Sequence, residues 1–228
     1  MGLVVPQVIK QSPVIFCDFD GTITIDEVVT EVWREFAPSG WVRDVEQMLA
    51  GEKSLLEGVP AVFARIPSER AAQIATFAKQ TVKFRPGLEE LLRYCNSSSI
   101  EFIVATGALD FFVEPVLEPY RPLISRVISI PADLSGETIR ADTVMACETC
   151  ALCKAKAMDG FDRAFRITVG DSITDEHGAL ASDVVFARDR LATIMRDCGR
   201  KFHEFDSLLD VRDILRDGYC FTASDRCV

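Results

Sequence analysis

Four short apolar runs, rich in β-branched and aromatic residues, punctuate the chain: Val14-Ile15-Phe16-Cys17, Phe102-Ile103-Val104-Ala105, Ile167-Thr168-Val169 and Val184-Val185-Phe186. Each is continuous rather than alternating, as expected of strands buried on both faces of a parallel sheet. Each ends at a polar or glycine turn and is followed by a helix-like pattern. This β-α alternation predicts an α/β fold with a doubly wound, Rossmann-like parallel-sheet core. Right-handed crossovers would bring the carboxyl ends of the strands to one edge of the open sheet, where ligands bind.

Between the first two runs the period changes. Val28, Val29, Val32, Trp33 and Phe36 share one helical face, and Trp41, Val45, Met48 and Leu49 share another. Thr24-x-x-Glu27 and Ser54-x-x-Glu57 have the spacing of capping boxes. Gly51, Pro60 and Pro67 punctuate the stretch, and Arg85-Pro86-Gly87 marks a return to the sheet. The expected organisation is a catalytic core of residues 1–24 and 84–228 with a helical cap, residues 25–83, inserted after the first strand. The alternative is that these helices simply cover one face of the core.

Composition then narrows the class. The 228 residues carry 25 Lys+Arg against 35 Asp+Glu, a formal net charge of −10, and 48% are hydrophobic. An acidic balance disfavours nucleic acids and anionic membranes, which are bound through clustered Lys and Arg. No apolar run approaches the roughly 20 residues needed to cross a bilayer, and the segment Met1 to Ser12 lacks the pattern of a secretory signal. A cytoplasmic monomer or homodimer with its eight cysteines reduced is the expectation.

The strongest chemical signal is Asp18-Phe19-Asp20-Gly21-Thr22, directly after the first strand. Carboxylates at i and i+2 of an extended segment point the same way, and Gly21 allows a sharp turn beneath them. Such a pair suits a nucleophile and a separate proton donor. Alone it would read equally as an Asp-rich turn, but Gly170-Asp171-Ser172-Ile173-Thr174-Asp175 adds two carboxylates at the same sheet edge. Together they form a hard oxygen set suited to Mg²⁺. Thr106-Gly107, read as opening a helix after the second run, offers a hydroxyl and backbone N–H groups to an anion. Lys154 begins a short helical pattern and, from local sequence, could be an ordinary surface lysine.

Taken in this order, the four elements resemble the motifs of the haloacid dehalogenase superfamily of phosphatases. The resemblance implies that Asp18 is the nucleophile and Asp20 the general acid/base, with Thr106, Gly107 and Lys154 binding phosphate. It implies Mg²⁺ held by Asp18, the Asp20 backbone carbonyl, Asp171 and, directly or through water, Asp175. A cap between the first and second motifs is similar to the phosphoserine phosphatase subgroup. Within it, Cys17 to Thr24, Phe36-Ala37-Pro38, Glu57-Gly58-Val59, Asp110 to Val113 and Phe186-Ala187-Arg188-Asp189 resemble the 2-hydroxy-3-keto-5-methylthiopentenyl-1-phosphate phosphatases of methionine salvage. The second motif departs from the usual Ser-Gly-Gly in reading Thr106-Gly107-Ala108. The implied partner is a small phosphorylated metabolite. Phosphoserine and phosphocholine or phosphoethanolamine are the alternative substrates, and a catalytically silent regulatory or metal-binding module is the alternative of another class.

The cysteines leading into Lys154 belong to the same resemblance and could in addition bind a metal. Cys147-x-x-Cys150-x-x-Cys153, immediately before Lys154, could supply three thiolates to a structural Zn²⁺. No fourth ligand is evident from spacing, and reduced packing residues or an adventitious disulfide are equally compatible with the pattern. His177 and His203 come with no Ser or Cys nucleophile motif. Asp26, Glu27, Arg34 and Arg85 are candidates for substrate contact by position.

Overall fold

A computed structural model of the chain describes residues 6–142, 144–147 and 150–221. The chain ends, 1–5 and 222–228, which the sequence reading assigned to the core, lie outside the described residues. In chain order the elements are β1 (Gln7–Ile9), β2 (Pro13–Cys17), α1 (Val28–Phe36), α2 (Trp41–Leu49), α3 (Leu55–Phe63), α4 (Ala71–Thr81), α5 (Leu88–Ser97), β3 (Glu101–Leu109) and α6 (Asp110–Leu117). There follow β4 (Arg126–Ile130), β5 (Ala132–Asp133), β6 (Arg140–Ala141), α7 (Lys154–Ala157), β7 (Phe165–Gly170), α8 (Glu176–Leu180), β8 (Val184–Ala187), α9 (Asp189–Asp197), β9 (His203–Glu204), α10 (Leu208–Gly218) and β10 (Tyr219–Phe221).

All four expected strands are present in one six-stranded sheet of order β4-β3-β2-β7-β8-β9. Its ladders are parallel throughout. The fold is thus the doubly wound α/β architecture that the uninterrupted apolar runs predict, and every residue of β2 and β8 is buried. The chain leaves β2 for β3 on one side and later returns to β7 on the other, so the topological switch point falls at β2, where a ligand crevice opens. Register makes this placement specific. Cys17 pairs with Val104 on β3 and Val169 on β7, which brings Asp18, Thr106 and Asp171 out at adjacent strand ends.

The stretch after β2 is helical, as its period predicts. Ser54 and Glu57 form the expected capping box at the start of α3. Thr24 does not cap α1: its hydroxyl accepts from the Gly21 N–H at 3.2 Å and donates to the Asp26 carbonyl at 2.7 Å, and Glu27 holds the N-cap position. The turn after Asp18 claims that side chain before a helix can. Where the chain leaves and re-enters the sheet layer, Thr24 and Phe84 form an antiparallel bridge, and the Ile25 N–H donates to the Lys83 carbonyl at 2.8 Å. Rings knit the helices to the sheet layer: Trp33 meets Phe63 edge-on at 5.7 Å, and Phe63 stacks on Phe112 of α6 at 6.3 Å. Such pairs contribute about 0.5–1.5 kcal/mol each beyond their buried area.

Short elements are where the sequence pattern is silent. The hairpin of β5 and β6 meets the segment between α3 and α4 through backbone bonds, Ile139 N–H to Ile66 O at 2.9 Å and Ser68 N–H to Glu137 O at 3.0 Å. Strand β3 runs on to Leu109 with a register shift between Ala105 and Leu109, and α6 starts only at Asp110. Thr106 and Gly107 therefore sit in a broken stretch of ladder, not at a helix start. Cys17, Cys95, Cys147, Cys150, Cys153 and Cys198 are outside any disulfide, whereas Cys220 is disulfide-bonded, contrary to the expectation of fully reduced thiols. Among the described residues no helix is long and apolar enough to cross a membrane.

Candidate active site

The turn at the end of β2 builds the floor of the site. The Asp18 N–H donates to Val169 O at 2.9 Å, fixing the strand end against β7. Gly21 then turns with φ +75°, and a Cβ placed there would lie 2.4 Å from Asp171 Oδ2. Only a residue without a side chain satisfies both conditions. Thr22 completes the contact by donating its hydroxyl to Asp171 Oδ1 at 2.8 Å. Gly21→Ala is accordingly expected to cost about 1–3 kcal/mol and to raise the Mg²⁺ concentration required for half-maximal activity. A variant with unchanged Mg²⁺ dependence would show that this close approach does not matter.

Asp18, Asp171 and Asp175 converge, each offering a carboxylate oxygen within 4.8 Å of the others. Lys154, only 1% exposed, reaches into the group, donating to Asp18 Oδ1 at 2.6 Å and to Asp175 Oδ1. The lysine that local sequence left open is therefore buried between two acids. Asp175 Oδ2 accepts from the N–H groups of Asp171 and Ser172 at 3.1 and 3.0 Å. Both Asp175 oxygens are thus engaged, and it holds the metal-motif loop and the lysine in place.

One lysine cannot neutralise this many acids. Burial pushes the Asp18 carboxyl up to about 7, with Asp175 adding to the rise and Lys154 opposing it. Asp171 is raised to about 9 by burial, Asp18 and Asp175. Burial works against the Lys154 charge too, but Asp175 and Asp18 together hold its pKa above the ordinary lysine value. The excess of buried negative charge on all-oxygen donors is the donor chemistry that a hard divalent cation satisfies, so the residues present fit Mg²⁺.

Asp20 lies to one side of this cluster. Its Oδ1 accepts from the Val29 N–H at the start of α1 at 3.3 Å, and burial with the Asp18 charge pushes its carboxyl up to about 8. It is therefore an acid that keeps its proton at neutral pH. Above the floor opens a cavity of about 890 Å³ lined by Asp18, Asp20, Thr106, Gly107, Ala108 and Asp171. Trp33, Val45, Met48, Leu49, Leu55 and Val59 form an apolar wall on it. The Thr106 hydroxyl accepts from the Ala108 N–H at 3.1 Å, and no atom lies within 4 Å of the side a Gly107 Cβ would occupy.

The positional candidates for substrate contact divide. Glu27 lines the cavity, whereas Asp26 pairs with Lys83 at 3.6 Å and Arg34 with Glu31 on the surface. Arg85 is 6% exposed and turned inward, donating to the carbonyls of Thr22 at 2.8 Å, Gly21 at 2.6 Å, Asp206 at 3.2 Å and Thr24 at 3.3 Å. It clamps the turn that carries Asp18 and Asp20 and is not a substrate ligand. His203 lies against the Phe186 ring and Tyr219 hydroxyl, away from the floor. His177, unlike it, lines the cavity and meets the cysteine cluster, a contact no sequence spacing signals.

A parallel α/β sheet whose switch point carries this acid–lysine arrangement defines a class, and comparison with known proteins agrees. The family of haloacid dehalogenase-like hydrolases matches residues 15–178, and the chain belongs to it. It is a phosphoric monoester hydrolase. Among relatives, it is 37% identical over 210 residues to a 2-hydroxy-3-keto-5-methylthiopentenyl-1-phosphate phosphatase of Brevibacillus brevis, covering 89% of this chain and 95% of the relative. A protein of the same name from Microcystis aeruginosa is 34% identical over 210 residues, covering 90% and 100%. Among solved structures, a phospho-aspartyl intermediate analogue of phosphoserine phosphatase superposes with a TM-score of 0.68 at 15% identity, covering 92% of this chain and 100% of that one. The fold is shared with phosphoserine phosphatase, and the sequence is nearer to the methylthiopentenyl phosphatases.

Proposed function

We propose that the chain hydrolyses 2-hydroxy-3-keto-5-methylthiopentenyl-1-phosphate in methionine salvage through an aspartyl-phosphate on Asp18. The observation that carries the substrate is the apolar wall of Trp33, Val45, Met48, Leu49, Leu55 and Val59 above an acidic floor. That combination suits a phosphate ester with an apolar methylthio tail better than a zwitterionic amino-acid phosphate. The sequence similarity to phosphatases of that name supports it.

In this reading Asp18 attacks phosphorus in line while Asp20, protonated at neutral pH by its raised pKa, donates to the leaving oxygen. Asp20, now a carboxylate, then takes a proton from the water that hydrolyses the intermediate. Lys154 restrains Asp18 and offsets phosphate charge, and Thr106 with the Gly107 N–H receives phosphate oxygens. Asp18, the Asp20 carbonyl, Asp171 and, directly or through water, Asp175 would hold Mg²⁺, and Asp175 also positions the loop and the lysine. When bound, the ion lessens the repulsion between the attacking carboxylate and the phosphate. Residues 25–83 act as a cap that closes the apolar wall over the substrate, and residues 1–24 and 84–228 supply the chemistry. The chain works in the cytoplasm on a small metabolite, as a monomer or homodimer.

The test is phosphate release from a panel containing the methylthiopentenyl phosphate, O-phosphoserine, phosphocholine and phosphoethanolamine. The first is expected to show the highest kcat/KM, and chelation should abolish turnover until Mg²⁺ is restored. A preference for O-phosphoserine would overturn the substrate, and undiminished activity in chelator would overturn the metal.

A further inference from the structure

Outside the phosphate site, three sulfur atoms converge on one nitrogen. The Cys147, Cys150 and Cys153 Sγ atoms lie 3.7, 3.7 and 3.6 Å from His177 Nδ1. Cys147 Sγ, Cys153 Sγ and His177 Nδ1 are all within 4.8 Å of one another. The cysteines come from the loop before α7 and the histidine from α8, separated by 24 to 30 positions in the chain.

Such a convergence has a specific meaning. With Zn–S of about 2.3 Å and Zn–N of about 2.0 Å, tetrahedral angles place each ligating sulfur about 3.6 Å from the ligating nitrogen, the separation found here for all three. A single thiol–imidazole hydrogen bond would explain one such contact and leave two without cause. The loop is also shaped around its sulfurs. The Cys150 N–H donates to Cys147 Sγ at 3.3 Å, a contact that stabilises thiolate charge. The Cys147 N–H donates to Cys150 O at 3.1 Å and the Cys153 N–H to Met145 O at 3.0 Å, closing the loop on itself. Lys156 of α7 donates to the Ala146 carbonyl, which places a positive charge beside a site whose three thiolates would outweigh a dication by one.

We propose that Cys147, Cys153 and His177 frame a structural Zn²⁺ site, which Cys150, 3.7 Å from the same nitrogen but farther from at least one of the other donor atoms, closes when the ion binds. Four protein ligands leave no open coordination position, so the ion is structural and not a second hydrolytic centre. Its location gives it a mechanical task. Cys153 directly precedes Lys154, and His177 lies two residues beyond Asp175. The ion therefore ties together the two segments whose side chains form the Lys154–Asp175 pair, in a loop with little regular structure to hold it. Histidine ligation also turns that side chain away from proton transfer at the neighbouring floor. The site stands independently of which phosphate ester is hydrolysed.

The experiment is metal analysis and X-ray absorption on the full-length chain purified under reducing conditions. Dialysis against EDTA first removes Mg²⁺. About one zinc per chain is expected to survive, with three sulfurs at about 2.3 Å and one nitrogen at about 2.0 Å. Cobalt reconstitution should give the intense visible bands of tetrahedral Co²⁺ and a thiolate charge-transfer band. His177→Ala is expected to lower zinc affinity at least tenfold with the fold retained, and Cys147→Ser/Cys153→Ser to abolish zinc binding. Because the double variant could fail to fold, the wild-type spectrum decides independently. A zinc-free, folded wild type, a sulfur-poor coordination shell, or a disulfide among the three cysteines in reduced protein would overturn the site.

Discussion

Asp18→Asn is expected to lower phosphate release by at least about 10⁴-fold, the scale of loss when a nucleophile is removed. The substitution keeps shape and a hydrogen-bond acceptor for Lys154, so circular dichroism and cavity geometry should be unchanged. Its effect on stability has a sign worth testing. Burial raises the Asp18 carboxyl from its ordinary range to about 7, above its unfolded value near 4. An acid raised on folding costs stability as pH climbs through that interval, since the unfolded chain gives up its proton first. In chelator at pH 8 the variant should therefore melt at or above the wild type, and with Mg²⁺ present the wild type should gain more. Wild-type turnover by Asp18→Asn would overturn the nucleophile, and a variant less stable than the wild type in chelator would show that Asp18 favours the pair with Lys154 even without metal.

Lys154→Met is the second large effect, and it strikes folding and chemistry together. Lys154 is 1% exposed, and its ammonium is bonded to both Asp18 and Asp175. Removing one member of a buried ion cluster leaves the others uncompensated, at a cost of about 3–5 kcal/mol. Activity should fall by a further factor of about 10²–10³ through loss of a charge directed at the phosphate. Urea denaturation in chelator at neutral pH reads the first effect and single-turnover phosphate release in Mg²⁺ the second. A destabilisation below about 1 kcal/mol, the range of an exposed ion pair, would mean that water reaches the cluster when the chain is free in solution. The metal could offset part of the stability loss, so the comparison belongs in chelator.

The sheet was legible because its strands are buried on both faces and advertise themselves as apolar runs. All four appear within a few residues of their predicted bounds. The strand β4 and the short pairs β5–β6 and β1–β10 were not, because two to five residues of mixed exposure carry no period to detect. Helices α1 and α2 followed from amphipathic spacing and the start of α3 from the Ser54–Glu57 capping box, whereas the Thr24 capping box was a true spacing put to another use. There the turn required by Gly21 draws the Thr24 hydroxyl to itself.

The candidate site divides in the same way. Asp18, Asp20 and Asp171 could be named from sequence because each follows a buried strand, and the parallel register guarantees that neighbouring strand ends emerge together. Arg85 could not be assigned correctly. A long cationic side chain near a turn reads as a candidate substrate contact or a solvated charge, and only the folded backbone shows that four carbonyls point at it. Asp175 follows from its motif, and its carboxylate does lie within 4.8 Å of those of Asp18 and Asp171, but that it also holds Lys154 and the N–H groups of its own loop is visible only in the fold.

By itself, then, the sequence determined the sheet, the acids at its edge and the class of reaction, since these depend on local patterns repeated at each strand end. Tertiary structure decided how those groups are shared. It buried Lys154 between two carboxylates, raised Asp20 to an acid that keeps its proton, turned Arg85 inward and brought His177 to three cysteines at least 24 positions away. The reason is physical: charge, hydrogen-bond partners and metal ligation depend on distances in space, and spacing along the chain encodes those distances only within a single strand, turn or helix.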